Sequence, residues 1–180
     1  GMTTLHVRQD ELDAAVAGFP TVIGVEAEAD FPKGLTITVN DRPPTMLAKR
    51  GDRALPIAAD GTVLAGVDVN GAGLPEAEVS ALPERGLLAG EDLQLALVVG
   101  AVPEPLRELI SDVEVGDPEG VQVTLDGEVP IHFGSGERAA DKWAAAAALL
   151  ASPKLDTLTY IDVRVPERPA IGGAAPSTLE

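Results

Sequence analysis

No cysteine occurs anywhere in the 180 residues, and histidine occurs twice, at His6 and His132. The first absence excludes disulfides, thiolate catalysis and Cys-ligated zinc, although it fixes no compartment. The second leaves too few imidazoles for a His-rich zinc site, and nothing in the pattern brings the two together. Aromatic residues are 3% of a chain that is 45% hydrophobic, so any core must be built mainly from Val, Leu, Ile and Ala. Basic residues are scarce too: 13 against 29 acidic ones, a formal net charge of −16. Such a surface repels phosphate backbones and anionic headgroups, which argues against nucleic acid as a partner and otherwise serves solubility. No run approaches the roughly 20 apolar residues of a membrane span. Gly1 ahead of Met2 has the look of a residue left by an affinity tag, so the missing span says little about the native protein.

What is present reads as alternating short elements. Arg8 to Phe19 carries Leu12, Ala15, Val16 and Phe19 at i, i+3, i+4 and i+7, the stripe of an amphipathic helix, with Gly18 and Pro20 as stops. Ile23, Val25, Ala27 and Ala29 then alternate with polar residues or glycine. After Phe31-Pro32-Lys33-Gly34, Leu35, Ile37 and Val39 do the same, which predicts a hairpin. Pro43-Pro44 marks a module boundary. Beyond it come strand-like pieces at 45–48 and 54–58, an Asp60-Gly61 turn, and a Gly/Pro-rich stretch at 67–83 expected to be irregular. Glu91 to Val99 has helix-forming composition, and a second short helix is expected over about 105–111. Asp126-Gly127 between Val121–Leu125 and Glu128–Phe133 is a strong hairpin signature, because a type I′ turn needs positive φ at both central residues. Gly134-Ser135-Gly136 opens an Ala-rich helix with Ser135 as its expected cap, Trp143, Ala146, Ala147 and Leu150 on one face, and Ser152-Pro153 at its end. Thr157 to Val165 is the last expected strand, and the Pro/Gly/Ala-rich remainder from 167 is expected to be a flexible tail.

No constellation for chemistry emerges. Ser135 lacks the G-x-S-x-G spacing of a nucleophile elbow, since Phe133 precedes Gly134 and Gly136 follows directly. The same turn has no phosphate-loop pattern, and Glu137 would sit at its anion-binding end. Asp68-Val69-Asn70-Gly71 begins like a calcium loop, but the twelfth position is Val79 instead of a bidentate carboxylate. Asp10-Glu11 and Glu91-Asp92 lie at helix starts, where the dipole favours acid. His132 alternates with core residues on a strand, which points it at solvent or a neighbouring strand. No metal, cofactor or catalytic residue is expected.

Several of these segments resemble the FtsQ/DivIB family of bacterial cell division proteins. Phe19 to Pro44 is similar to the end of that family's POTRA module, with Val39-Asn40-Asp41-Arg42-Pro43 standing for its "V-x-E-R-x-P" strand end and Asp41 replacing the usual Glu. Asp60-Gly61-Thr62-Val63 resembles the "D-x-G-x-V" step. Gly134 to Lys142 resembles the turn-helix of the β domain, and Tyr160-Ile161-Asp162-Val163-Arg164 its terminal "Y-x-D-L-R" strand. The matches run in order from about Leu5 to Gly173.

The resemblance implies a noncatalytic protein held in the cell membrane by one N-terminal transmembrane helix. Its extracytoplasmic region would bind FtsB/DivIC-like and FtsL-like partners and help regulate septal peptidoglycan synthesis. The family's first POTRA strand and helix are not visible before Leu5. The expected architecture is therefore α+β: a partial POTRA-like helix-plus-hairpin module at 1–44, a mixed β-sheet domain backed by helices at 45–166, and the tail at 167–180. The final strand, close to the chain end, is expected to be a sheet edge able to accept an added strand. Tyr160 and Arg164 share one face of it and are residue types enriched in binding hot spots. With Asp162 and Val165, the latter standing where some relatives carry an aromatic, they form the candidate partner-binding set. A POTRA-like chaperone or transport module is the competing expectation, and a secreted hydrolase the third.

Overall fold

The computed structural model describes residues 8–30, 34–116, 118–126, 129–151 and 158–173. His6, the turn at 31–33, the centre of the Asp126-Gly127 turn and the Ser152-Pro153 helix stop lie outside them. The chain divides into two compact units, Gly1–Pro43 and Pro44–Glu180.

The first unit holds helix α1 (Gln9–Val16) and the antiparallel strands β1 (Val22–Asp30) and β2 (Gly34–Asp41). Alternation puts the apolar residues of both strands on one face, in the cross-strand pairs Val25↔Val39, Ala27↔Ile37 and Ala29↔Leu35. Helix α1 is tied to this hairpin by the Gln9 side chain, which donates to the Val25 carbonyl. The predicted stripe is only partly covered: Leu12 and Val16 are half-buried, whereas Ala15 and Phe19 are exposed. Val25 is buried, but Ile23, Ile37 and Val39 are all more than half exposed. One short helix is too small a lid for an eight- or nine-residue hairpin.

Among the described residues, the second unit holds two sheets and three helices. Strands β3 (Pro44–Arg50), β4 (Arg53–Ala58) and β5 (Glu76–Glu78) form a sheet in the order β4-β3-β5, with β5 parallel to β3. Helices α2 (Gly90–Gly100) and α3 (Glu104–Arg107) follow. Strands β6 (Ile110–Gly116), β7 (Gly120–Leu125) and β8 (Pro130–Gly134) then run antiparallel to one another. Helix α4 (Ala139–Leu150) carries the chain over to β9 (Leu158–Asp162), which pairs parallel with β8. Strand β10 (Ala170–Gly173) completes the order β10-β9-β8-β7-β6. The fold class is α+β with mixed sheets, as the sequence suggests.

The inward faces are those the alternation marks. Val121, Val123 and Leu125 on β7 are buried, as are Ile131 and Phe133 on β8 and Ile161 on β9. Trp143 anchors α4: it is fully buried, packs its ring 4.6 Å from that of Phe133, and donates its indole N–H to the Val98 carbonyl of α2 at 2.8 Å. Lys142, beside it, is also buried and donates to the carbonyls of Phe133 (2.9 Å) and Ser135 (2.8 Å). The Phe133 carbonyl is buried, and the ammonium supplies it with a donor. Removal of the ammonium from water lowers the Lys142 pKa.

Four expectations are corrected. Ser135 does not cap α4; the N-cap position is Arg138, in the left-handed region at φ 54°, and the Ser135 carbonyl serves Lys142 instead. The helix expected over 105–111 stops at Arg107, and β6 starts at Ile110. It was hidden because its outer positions, Asp112 and Glu114, are charged, leaving Val113 and Val115 as its apolar signal. The irregular stretch contains β5, whose Glu-Ala-Glu alternation buries Ala77 but is too short to recognise. The supposed flexible tail supplies β10. Asp92 is also not simply a dipole partner: it is buried and accepts from the Ser80 N–H (2.9 Å), the Ser80 hydroxyl (2.8 Å) and the Ala81 N–H (2.9 Å).

The α4 anchor sets a measurable expectation. Trp143→Ala should cost about 3–5 kcal/mol of unfolding free energy through cavity formation. Lys142→Met should cost about 1–3 kcal/mol by orphaning two carbonyls. Urea midpoints at constant m-value check both, and a Lys142→Met midpoint equal to wild type would rule out the tethering role.

Candidate functional site

The predicted site residues lie around the C-terminal end of β9. Parallel pairing sets His132 of β8 beside Asp162 of β9. His132 and Tyr160 meet edge to face, ring centroids 5.6 Å apart, a favoured aromatic geometry. His132 thus points to the neighbouring strand, as its alternation implies. Asp162 grips Arg164 two residues on. Its Oδ1 accepts the Arg164 main-chain N–H (3.0 Å) and Nε (3.1 Å), and its Oδ2 accepts Nε (3.0 Å) and NH2 (2.6 Å). The guanidinium fork holds the Asp162 carboxyl below the usual carboxylate range, and the carboxylate raises Arg164 in return. The stem of Arg164 lies against Gly134, whose φ of 71° and missing Cβ make that approach possible: a Cβ there would sit 3.1 Å from Arg164 Cγ.

Arg164 is the point where three shallow concavities meet. One, of about 300 Å³, is bordered by Glu119, His132, Tyr160 and Asp162. A second, of about 250 Å³, runs past Gln94, Gly120 and Ser135. The third, of about 270 Å³, runs past Arg138, Val165 and Glu167. In the third, Arg138 bridges Glu167 and Asp141. The Glu167 carboxyl is lowered first by its own backbone N–H and then by Arg138. A larger cleft of about 450 Å³ lies between β5 and β6, but Lys49 is its one cation among acidic Glu76, Glu78, Asp112 and Glu114, and no aromatic borders it. The Arg164 surface is the better recognition site because it joins an aromatic ring to a pre-oriented guanidinium.

Two placements differ from expectation. β9 ends at Asp162, so Arg164 and Val165 lie just past it. Val163 is buried, and the chain then turns, with the Arg168 N–H donating to the Val165 carbonyl at 2.9 Å, which leaves Val165 exposed instead of facing inward with Ile161. Nor is β9 a sheet edge: β10 pairs with it antiparallel, placing Ala170↔Asp162, Ile171↔Ile161 and Gly172↔Tyr160. The residues that sequence reasoning passed over are Lys142 and Gly172. A lysine on an otherwise apolar helix face is the signal that could have exposed the first.

Among the described residues no group of three or more His, Asp or Glu could hold a metal, and no described helix is long and apolar enough to cross a membrane.

The sequence model of the family described as cell division protein FtsQ/DivIB, C-terminal, matches residues 46–164. The chain belongs to the FtsQ/DivIB family. That span runs from β3 to Arg164, so it contains the elements through β9 and all of the candidate site except Val165. The chain is also 28% identical over 160 residues to cell division protein FtsQ of Streptomyces griseus, covering 86% of this chain and 76% of that one. It is 27% identical over 180 residues to FtsQ of Streptomyces venezuelae, covering 97% and 65%, and 25% identical to FtsQ of Streptomyces coelicolor, covering 86% and 61%. It therefore spans between about three-fifths and three-quarters of the length of these relatives.

The Asp162–Arg164 fork has a signed pH dependence. Asp162 is depressed below 3.8 in the fold, so its contribution is complete above the unfolded value. It is lost as pH falls through the lower folded one. Both groups are partly solvated, so the effect should be about 0.5–1 kcal/mol. Asp162→Asn should be less stable than wild type by that amount at pH 7, and the gap should start to narrow as pH falls through about 4 and close only once pH is below the depressed folded value. Denaturation curves stepped from pH 7 downward measure this, and a gap that does not narrow below pH 4 would sink it.

Proposed function

We propose that this chain is the extracytoplasmic part of a noncatalytic divisome scaffold. It would be held in the cell membrane by one N-terminal transmembrane helix and would bind FtsB/DivIC-like and FtsL-like division proteins so as to regulate septal peptidoglycan synthesis. Family membership supports the cell division role. The observation that carries the partner site is the Asp162–Arg164 fork beside Tyr160. Arg164 is immobilised before any partner arrives, so less rotamer freedom is lost on binding than for a free arginine. Tyr160 and Val165 flank it with exposed apolar surface. The partner-binding set is Tyr160, Asp162, Arg164 and Val165, with Arg164 at its centre.

The first unit favours a second reading, a POTRA-like module that binds unfolded strands in chaperoning or transport, because Ile23, Ile37 and Val39 leave an apolar hairpin face in solvent. One titration separates the two. The extracytoplasmic segment of the same organism's FtsB/DivIC-like protein should bind the chain, and Arg164→Ala and Tyr160→Ala should each weaken it at least about tenfold, the cost of a hot-spot truncation. Ile37→Ser should leave that affinity unchanged. Wild-type binding by both site variants, with loss in Ile37→Ser, would transfer the partner site to the first unit.

A further inference from the structure

Arg138 breaks two local rules at once. Among the described residues it is the one non-glycine with a positive φ, 54°, a left-handed conformation that is strained for a residue with a Cβ. It also stands at the N-cap of α4 and makes no side-chain cap bond. Its cation therefore lies at the end of the helix where positive charge is disfavoured. Glycine or asparagine is the usual occupant of such a backbone position. The arginine gains two ion pairs in return, one to Asp141 in the first turn of the helix and one to Glu167 across the surface. All three side chains are more than half exposed, and exposed pairs add little to stability. Stability alone does not account for an arginine here, and a strained residue at a surface points to use.

The pair to Glu167 leads to the recognition surface. Strand β9 ends at Asp162 and β10 begins at Ala170, so residues 163–169 form a bend between them. The first two positions of the bend are tied to the sheet: Val163 donates its N–H to the His132 carbonyl at 3.0 Å, and Arg164 is held by Asp162. Further along, the Arg168 N–H closes a turn on the Val165 carbonyl, and the Arg138–Glu167 pair joins that turn to α4. The Glu167 carboxyl is also bonded to its own main-chain N–H, so the grip of Arg138 reaches the backbone. We propose that Arg138 is a positioning residue for the partner site: through Glu167 it fixes the outer half of the bend, so that Val165 is presented beside Arg164 in one arrangement. This rests on the partner reading above. A bend correctly arranged one-fifth of the time would lower apparent affinity about fivefold.

The test compares the unaltered full chain with Arg138→Gly, with Glu167→Gln, and with the charge swap Arg138→Asp plus Glu167→Arg. Glycine adopts φ 54° without strain and removes the cation from the helix end. Arg138→Gly should therefore unfold at a urea midpoint no lower than that of the unaltered chain. A lowered midpoint makes Arg138 a stabilising residue and overturns the proposal. Backbone amide relaxation comes next and needs no partner. Order parameters at 165–168 should drop from about 0.85 to about 0.6 or below in Arg138→Gly and Glu167→Gln, with β9 and α4 unchanged. Unchanged order at 165–168 overturns the proposal. Titration with the FtsB/DivIC-like segment follows. Both single variants should bind about fivefold more weakly while staying folded, and the swap should restore most of the affinity. Equal binding by every form overturns the positioning role. A swap that orders the bend but leaves binding weak overturns it too, because Arg138 would then touch the partner itself. If no form binds the segment while both single variants loosen the bend, the partner reading fails and the hold on the bend stands.

Discussion

The buried indole of Trp143 is the contact on which the rest of the second unit depends. It is the fold's one tryptophan, and it joins α4 and the neighbouring strand β8 to α2, which lies 45 residues back in the sequence. Its ring meets Phe133 of β8 and its N–H ends on Val98 of α2. Helix α4 links β8 to β9, so its seating decides where β9 lies in the sheet. Lys142 acts at the same point on polar ground, fixing the carbonyls of Phe133 and Ser135 as the chain leaves β8. The turn so fixed includes Gly134, the surface on which Arg164 rests. A core with almost no aromatics thus concentrates its large side chains where strand, helix and recognition surface meet.

The charge pattern gives the recognition surface its character. In a chain of net charge −16 an arginine is surrounded by attractive acids, and Arg164 could have been drawn into a diffuse set of surface pairs worth little individually. Instead Asp162 takes it through three side-chain hydrogen bonds and one to the main chain. Glu119 contributes further attraction from the adjoining hairpin. The guanidinium is thereby held on Asp162 at the end of β9. The same acidity sets the sheet's lateral limits, with Asp112 and Glu114 guarding β6.

Legibility in the sequence followed burial. The β7–β8 hairpin, α2, α4 and the Tyr160/Asp162/Arg164 face were plain, because alternation or helical spacing of buried residues is a strong constraint. Strand β6 was not, since an edge strand need bury only alternate residues, here Val113 and Val115, and carries charge on the rest. Strand β5 is three residues long and depends on its parallel partner β3. Lys142 stands out in the sequence only as a lysine on an apolar helix face, and that alone does not announce that two carbonyls will converge on it. The candidate site was legible as a face but not as a geometry. That Asp162 clamps Arg164 follows from the chain bending after Asp162, which the strand pattern through Val165 concealed.

β10 was the hardest element to foresee, and the reason is physical. Its Gly172 is selected by what lies across from it: the Tyr160 ring fills the space a side chain would need. Judged by propensity, Ala-Ile-Gly-Gly belongs in a loop. Judged by the neighbour, a residue without a side chain is the one that lets the backbone approach an aromatic on the next strand. A strand defined by its partner's side chain is weakly determined by its own sequence. Local propensity and tertiary fit pull in opposite directions there, and such disagreements concentrate at functional surfaces. The low strand propensity of this segment and its position over Tyr160 are therefore one property. The pairing of this segment with β9 leaves no open ladder on that side of Tyr160.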